Sequence, residues 1–311
     1  MTDILAVGEV LIDLTQTGSE NGIPQYAAFP GGAPANVAVA GAKLGARTAF
    51  CGKVGQDAFG AQLALALSEV GVNTDHLHRC TAPTTLAVVS VDDTGERSFC
   101  FYRDHSADTL LAETESISAL SCCPKVLHFG SVSLTHESAR TATLSAVREA
   151  KNRGIIVSYD PNYRPALWQA ESLARTYMTP PLSFVDILKV SDEELHLLSG
   201  RSDLNAGTQL LREQGIPLIL VTLGAAGVYY RMGEHTGTIP GIRVQVADTN
   251  GAGDTFLGAV LARLCRREAG PLQGLTTAEL EDILTFANRA AALTCSRPGA
   301  IPAMPELHEL R

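Results

Sequence analysis

The chain has 311 residues, of which 45% are hydrophobic and 18% charged, a composition that can bury a large core and excludes disorder as the main state. Its 24 Lys and Arg against 33 Asp and Glu leave a net charge of −9, so no nucleic-acid partner and no anionic membrane surface is expected. At roughly 100–200 residues per domain, the length allows one large or two modest domains.

Strand-like and helix-like runs alternate along the chain. Ile4–Gly8 reads as a buried strand, and a polar, irregular segment follows from Asp13 to Pro30. Ala35–Leu44 reads as a helix stopped by Gly45, Thr48–Val54 as a strand, and Phe59–Val70 as a helix stopped by Gly71. Thr84–Arg103 has the pattern of a β-hairpin with its turn at Asp92-Asp93-Thr94-Gly95. Val126–Phe129, Ile155–Tyr159, Val185–Val190 and Leu218–Thr222 are apolar runs of strand length. Helix patterns occur at Glu137–Lys151, Leu173–Thr179, Ala206–Glu213 and Phe256–Arg267. This rhythm predicts an α/β fold: a doubly wound, mostly parallel sheet with helices on both faces, whose ligands bind outside the carboxyl ends of the strands. The segments at about 13–30 and 84–103 break the rhythm. They are expected to form a small β-sheet lid, as excursions of a single domain spanning 1–311.

Two glycine-rich segments carry the chemistry. In Gly31-Gly32-Ala33-Pro34-Ala35-Asn36, paired glycines let backbone approach a ligand before a helix begins. A tight strand-to-helix turn would look the same, but Asn36 is a weak helix former one turn into an Ala/Val helix, and it suits hydrogen bonds to a polyol. In Asp248-Thr249-Asn250-Gly251-Ala252-Gly253-Asp254, small residues open a helix, so successive N–H groups and the helix dipole form an anion cradle. A carboxylate there repels phosphate unless its task is to take a proton; a plain helix cap is the alternative. No Walker A loop and no Gly-x-Gly-x-x-Gly exists, so a P-loop NTPase or a nicotinamide dehydrogenase lacks its fingerprint. The eight histidines are scattered, with His76, His78 and His105 in loop-like contexts, which disfavours a metal hydrolase.

These two segments, in this order and separation, resemble the signatures of the ribokinase-like (PfkB) carbohydrate kinases, and the resemblance runs from about Val7 to Pro302. It implies ATP-dependent phosphorylation of a sugar hydroxyl, with ATP and Mg²⁺ as cofactors. Asp254 is implied as catalytic base, its ionised form favoured by the helix end, and the N–H groups of Gly251, Ala252 and Gly253 as the anion hole. Asp13, Gly31, Gly32 and Asn36 correspond to sugar-binding positions. Thr222, Gly224 and Gly227 resemble the nucleotide loop, and Asn288 the polar residue near adenine. The family's Asn-x-x-Glu motif appears as Ser191-Asp192-Glu193-Glu194. Glu194 is kept, to act on Mg²⁺ through water, while Ser191 replaces Asn. Main-chain oxygens around Asp248, Asn250 and 292–299 are the counterparts of a K⁺ site.

Further stretches look like bacterial fructokinases: Phe101-Tyr102-Arg103, the run His128–Leu134, and the run Asp160–Trp168. Arg103 and Arg164 can donate several hydrogen bonds to a sugar, and Phe101 can offer an apolar face. A structural salt bridge is the alternative for Arg164; core packing is expected for Phe129 and Trp168. The Asp-x-Asn-x-Arg stretch is shared with 2-keto-3-deoxygluconate kinases, and aminoimidazole riboside kinase is a third relative. A regulator that binds sugar without catalysis would lack Asp254 or the Gly-Ala-Gly loop. Apolar alternation on the hairpin (Leu86, Val88, Phe99, Phe101) predicts a homodimer. The seven cysteines, odd in number and never spaced Cys-x-x-Cys, read as buried free thiols. With no basic stretch at Met1–Leu5 and no apolar run near 20 residues, a cytoplasmic location is expected.

Overall fold

The computed structural model describes residues 2–91 and 97–310, without the side chains of 90, 91 and 97–99. The turn expected at Asp92-Asp93-Thr94-Gly95 and the side chain of Phe99 lie outside the described residues. The chain begins with strand β1 (Ile4–Val7), the pair β2 (Leu11–Glu20) and β3 (Ile23–Gly31), and helix α1 (Ala33–Lys43). β4 (Thr48–Gly55), α2 (Ala58–Glu69), β5 (Asn73–Cys80), β6 (Leu86–Val91) and β7 (Arg97–Tyr102) follow. Then come α3 (Glu113–Ala119), β8 (Val126–Gly130), α4 (Glu137–Asn152), β9 (Ile156–Asp160), α5 (Glu171–Met178) and β10 (Ile187–Ser191). The last part holds α6 (Asp192–Ser199), α7 (Leu204–Glu213), β11 (Leu218–Thr222), β12 (Gly227–Met232), β13 (His235–Pro240), α8 (Ala252–Cys265) and α9 (Thr277–Cys295).

A nine-stranded sheet runs in the order β13-β12-β11-β10-β9-β8-β1-β4-β5. Its strands pair in parallel from β5 to β11, and β12 and β13 close one edge antiparallel. Side chains of a strand alternate between faces, and β1 shows the consequence. Leu5 and Val7 join the core built with α3 to α7, while Ile4 joins the core built with α1, α8 and α9. The order in which strands are added reverses at β1, with β4 on one side and β8 on the other. A crevice at the carboxyl ends of such a pair is where doubly wound sheets bind ligands.

The four-stranded sheet, in order β3-β2-β6-β7, forms the expected lid layer. Asp13–Pro30 is not irregular, however. It is a long antiparallel hairpin, with a register shift between Gln16 and Gly18, turning at Asn21 (φ 52°) and Gly22 (φ 76°). Its outer half is exposed on both sides and so lacks apolar alternation, but Asn-Gly is itself the preferred two-residue hairpin turn. The register also separates the apolar residues of the second hairpin. Leu86 pairs with Tyr102 and Val88 with Cys100, while Ala87 pairs with Phe101, so Phe101 faces away from Leu86 and Val88. His76 and His78 belong to the edge strand β5 rather than to a loop. All seven thiols are free, but only Cys51 and Cys265 are fully buried, and Cys100 and Cys123 are exposed. Phe129 is buried and stacks on Tyr159 at 4.4 Å, as expected of a core residue. Trp168 is only half-buried, against Tyr177.

Helices α1 and α8 touch backbone to backbone. A Cβ on Gly258 would stand 2.6 Å from the Ala40 Cβ and 2.9 Å from the Val37 carbonyl oxygen. Gly258→Leu should therefore force the two helices apart and cost about 1–3 kcal/mol. Urea unfolding checks this; an unchanged midpoint and slope would contradict the close contact.

Candidate active site

Two cavities meet at the start of α8. The first is narrow and polar, about 50 Å³, and lies at the carboxyl ends of β1 and β8 under the lid. From β1 and its following turn comes Glu9; from the lid, Leu11, Asp13 and Phe101; from α1 and the turn before it, Gly32, Ala33 and Asn36. Asn162 and Arg164 follow β9, and Asn250 and Asp254 close the cavity from the α8 side. The second is a cleft of about 560 Å³ whose walls include Thr222, Gly224, Gly227, Ala252, Gly253 and Asn288. Ile242, Val244, Phe256 and Ala292 make much of it apolar. Consecutive residues of one helix turn thus line different cavities: Ala252 and Gly253 the cleft, Asp254 the polar cavity.

The sequence explains this local arrangement. Gly251 caps α8 in the left-handed conformation (φ 74°), which a side chain would strain. The helix therefore starts at Ala252, four residues before the apolar periodicity that begins at Phe256. The first N–H groups of a helix have no acceptor within it; that of Ala252 reaches the Thr249 carbonyl at 3.4 Å, and Ala252 and Gly253 line the cleft. Gly32 similarly caps α1 with φ 105°, and its Cβ would stand 2.6 Å from the Glu9 carbonyl oxygen.

Asp254 is buried and held from two sides. Its Oδ2 accepts a hydrogen bond from Asn36 Nδ2 at 2.8 Å, and its Oδ1 accepts one from Asn162 Nδ2 at 3.3 Å. Burial pushes its carboxyl up to about 6, and the Asp160 charge adds to that. The Asn36 bond, Lys189 and Arg164 pull the other way. The helix end, expected to favour the ionised form, is outweighed by desolvation.

Of the other expected site residues, Gly31 lies beside the polar cavity, where a Cβ would collide with the Asp13 carboxylate. Arg103 is not brought to the cavity wall. It is buried one layer back, where Nε bonds Asp108 at 2.7 Å and Nη2 bonds the Val132 carbonyl at 3.1 Å. Arg164 lines the cavity, and its Nη1 reaches the Tyr163 carbonyl at 3.4 Å. Ser191 and Glu194 line a third cleft of about 670 Å³, together with Lys189, Asn162 and Arg164. They form a capping box: Ser191 Oγ accepts from Glu194 N at 3.1 Å, and Glu194 Oε2 from Ser191 N at 2.8 Å. Glu194 Oε1 accepts from Tyr163 N at 2.6 Å, so each carboxylate oxygen already holds one backbone N–H. Burial raises the Glu194 carboxyl above its ordinary range. Asp248 ties two stretches together, accepting from Asn250 N at 2.8 Å and from Gly299 N at 3.0 Å. Asn288 donates to the Pro240 carbonyl at 3.0 Å. Among the described residues, no group of three or more His, Cys, Asp or Glu is arranged to hold a metal, and no helix is long and apolar enough to cross a membrane.

Sequence reasoning missed four residues here: Glu9, Asp160, Asn162 and Lys189. Glu9 and Asn162 follow the carboxyl ends of β1 and β9, and Asp160 ends β9, where topology marks candidates; Asp160 and Asn162 also stand in the Asp-x-Asn-x-Arg stretch. Glu9 is buried, its Oε1 accepts from Ala33 N at 3.1 Å, and burial pushes its carboxyl up to about 7.

The model of the pfkB family carbohydrate kinases matches residues 1–307. The chain is 41% identical over 307 residues to Fructokinase-1 of Oryza sativa subsp. japonica, covering 97% of this chain and 94% of that one. Among solved structures it resembles the fructokinase of Xylella fastidiosa with bound ATP, at 37% identity and a TM-score of 0.91, over 99% of this chain and 96% of that one. It also resembles a double-mutant fructokinase of Vibrio cholerae O395 in a form with fructose, ADP and potassium ion bound. There the identity is 33% and the TM-score 0.89, over 100% of this chain and 97% of that one.

The Asp254 carboxyl, followed by carbon NMR, should titrate near pH 6. Asn36→Ala removes a bond to the ionised form, so its midpoint should move upward. A wild-type midpoint near the ordinary carboxylate value of about 4 would contradict the burial account.

Proposed function

The chain belongs to the pfkB family of carbohydrate kinases, and we propose that its site transfers the γ-phosphate of ATP to D-fructose, giving fructose 6-phosphate. The observation that carries this reading is the shared helix turn: Asp254 lines the polar cavity while Ala252 and Gly253 line the neighbouring cleft. An acceptor hydroxyl in the first and a phosphate chain in the second would meet at one buried carboxylate.

On this reading the sugar lies among Asp13, Asn36, Asn162, Arg164 and Asp254, with Gly31 and Gly32 shaping the wall and Phe101 covering an apolar edge. Arg103 supports the lid from behind, without contact to the sugar. The nucleotide lies in the larger cleft, its base against Val244 and Ala292 near Asn288, its phosphates running past Thr222, Gly224 and Gly227 towards α8. Phosphoryl transfer asks mainly for positioning and charge stabilisation. Asp254 takes the proton of the attacking hydroxyl. The N–H groups of residues 251–253 meet charge developing on the transferred group. Mg²⁺, when bound with the phosphates, neutralises their charge and keeps several waters. Glu194 suits an indirect role towards it, because each of its oxygens has a lone pair left for a metal-bound water. On this reading a K⁺ ion would sit at main-chain oxygens near Asp248 and Asn250, in the loop that the Asp248 carboxylate ties to Gly299.

The same reading includes one domain with its lid, a homodimer and a cytoplasmic location. Exposed Tyr26 and Tyr102 on the lid support a covering subunit, and free thiols suit a reducing compartment. One observation favours a second substrate. Arg164 at the cavity offers a partner for a sugar acid such as 2-keto-3-deoxygluconate.

Release of ADP is to be measured across D-fructose, 2-keto-3-deoxygluconate, D-ribose and aminoimidazole riboside. D-Fructose should give the highest kcat/KM; a higher value for another sugar would replace it. Asp254→Asn should lower kcat by at least about 10² with the sugar KM nearly unchanged. An unimpaired kcat would remove Asp254 as the base.

A further inference from the structure

Beneath the turn that joins the two cavities lies a buried ion pair that the reaction above does not use. Lys189, in the middle of β10, donates from Nζ to Asp160 Oδ2 at 2.9 Å. The two side chains are 8% and 2% exposed, so water screens neither. The ammonium also lies directly under the start of α8. A Cβ on Gly253 would stand 3.0 Å from Lys189 Nζ.

The charges facing this point come from every element packed around it. β9 supplies Asp160, the turn after it Arg164, α6 Glu194 and α8 Asp254. β8 supplies His128, which burial pushes down to about 4 and so keeps neutral. Glu9 lines the polar cavity beyond Asp254. Three carboxyl groups are thus buried around one ammonium, with Arg164 nearer the surface. Buried like charges force one another to take up protons unless a countercharge stands among them. Burial alone would push the Lys189 amine down, but Asp160, Glu194 and Asp254 outweigh it and hold the amine protonated.

We propose that Lys189 is a positioning residue for the reaction proposed above: its buried ammonium, paired with Asp160 and lying under the start of α8, is the countercharge that keeps Asp254 able to take a proton. It acts through Asp254: it lines neither the polar cavity nor the apolar cleft, only the third cleft beside Glu194. The inference rests on Asp254 being the base.

The test compares wild type with Lys189→Met, Lys189→Arg and Asp160→Asn, each checked for folding by circular dichroism. For each, kcat and kcat/KM are measured against pH, and the Asp254 carboxyl is titrated by carbon NMR without substrate. Lys189→Met should move the acid limb and the NMR midpoint up by about one pH unit or more. Its kcat should be depressed most near pH 6 and recover towards wild type above about pH 8, with the KM for fructose within about threefold. Lys189→Arg keeps the charge and should restore most of the profile. Asp160→Asn removes the neighbouring anion and frees the ammonium for Asp254, so its acid limb and midpoint should move down. This opposite shift keeps the proposal testable if Lys189→Met fails to fold. A loss of kcat equal at all pH values, a midpoint that does not move, or a rise confined to the KM for ATP would overturn it; the last would mean that Lys189 binds phosphate itself. The NMR titration needs no substrate, so Lys189 can be judged even if fructose is the wrong sugar. A wild-type chain that turns over none of the four sugars overturns only the reading of the reaction.

Discussion

The structure depends on one costly placement: the carboxyl group of Asp254, buried at the first turn of α8 between a polar cavity and a larger apolar cleft. A carboxylate removed from water loses hydration that only hydrogen bonds and nearby cations can offset. Asn36 and Asn162 supply the hydrogen bonds, Lys189 and Arg164 the charges. These come from α1, the turn after β9 and β10, so the elements around the site are brought together by what Asp254 needs. The result is a group poised near 6, between the ordinary carboxylate range and neutrality. A general base works well there, because it is ionised at neutral pH and still holds a proton when one arrives.

The topology makes that placement possible. Reversal of strand order at β1 opens a crevice between β1 and β8, and the four-stranded sheet covers it with Asp13 and Phe101. The backbone contact of α1 with α8 brings Asn36 within hydrogen-bonding distance of Asp254, 218 residues away in sequence. Gly258 carries no side chain because the helix axes could not otherwise approach so closely. Packing and chemistry are therefore parts of one arrangement. Gly251 and Gly253 open the start of α8 beside the larger cleft, and Gly258 sets the distance to α1, which carries Asn36.

Much of this is legible in the residues. Continuous apolar runs mark the parallel strands other than β5, because those strands are buried on both faces, and period-3.6 patterns mark α1, α2, α4, α5 and α7 to within two or three residues; α3, α6 and α9 are not read from the sequence, and α8 begins four residues before its apolar periodicity. The β2–β3 hairpin is harder to see, since its outer half faces water on both sides; only Asn21-Gly22 announces it. Ser191 to Glu194 has the spacing of a capping box, yet the resemblance to a metal-linked motif draws the eye from the plainer fact that both residues hold the start of α6. Gly251, Ala252, Gly253 and Asp254 stand out because small residues before a helix have few other uses. Lys189 does not stand out. A lysine in a strand reads as a solvent-facing residue, and only the three-dimensional gathering of Asp160, Glu194 and Asp254 shows what it neutralises. Arg103 is the reverse case: its donor count suits a sugar, but Asp108 and the Val132 carbonyl lie closer. Long-range charge pairing, unlike periodicity, leaves no local trace in the chain.

If the proposed reaction holds, the acceptor hydroxyl and the phosphate chain meet at the first turn of α8. The most direct measurement is a crystal structure with D-fructose and a non-hydrolysable ATP analogue bound together. One fructose hydroxyl should lie within about 3.2 Å of an Asp254 carboxylate oxygen, and the terminal phosphate on the N–H groups at the start of α8. A fructose whose hydroxyls all lie out of reach of Asp254, or a terminal phosphate held away from that helix end, would contradict it.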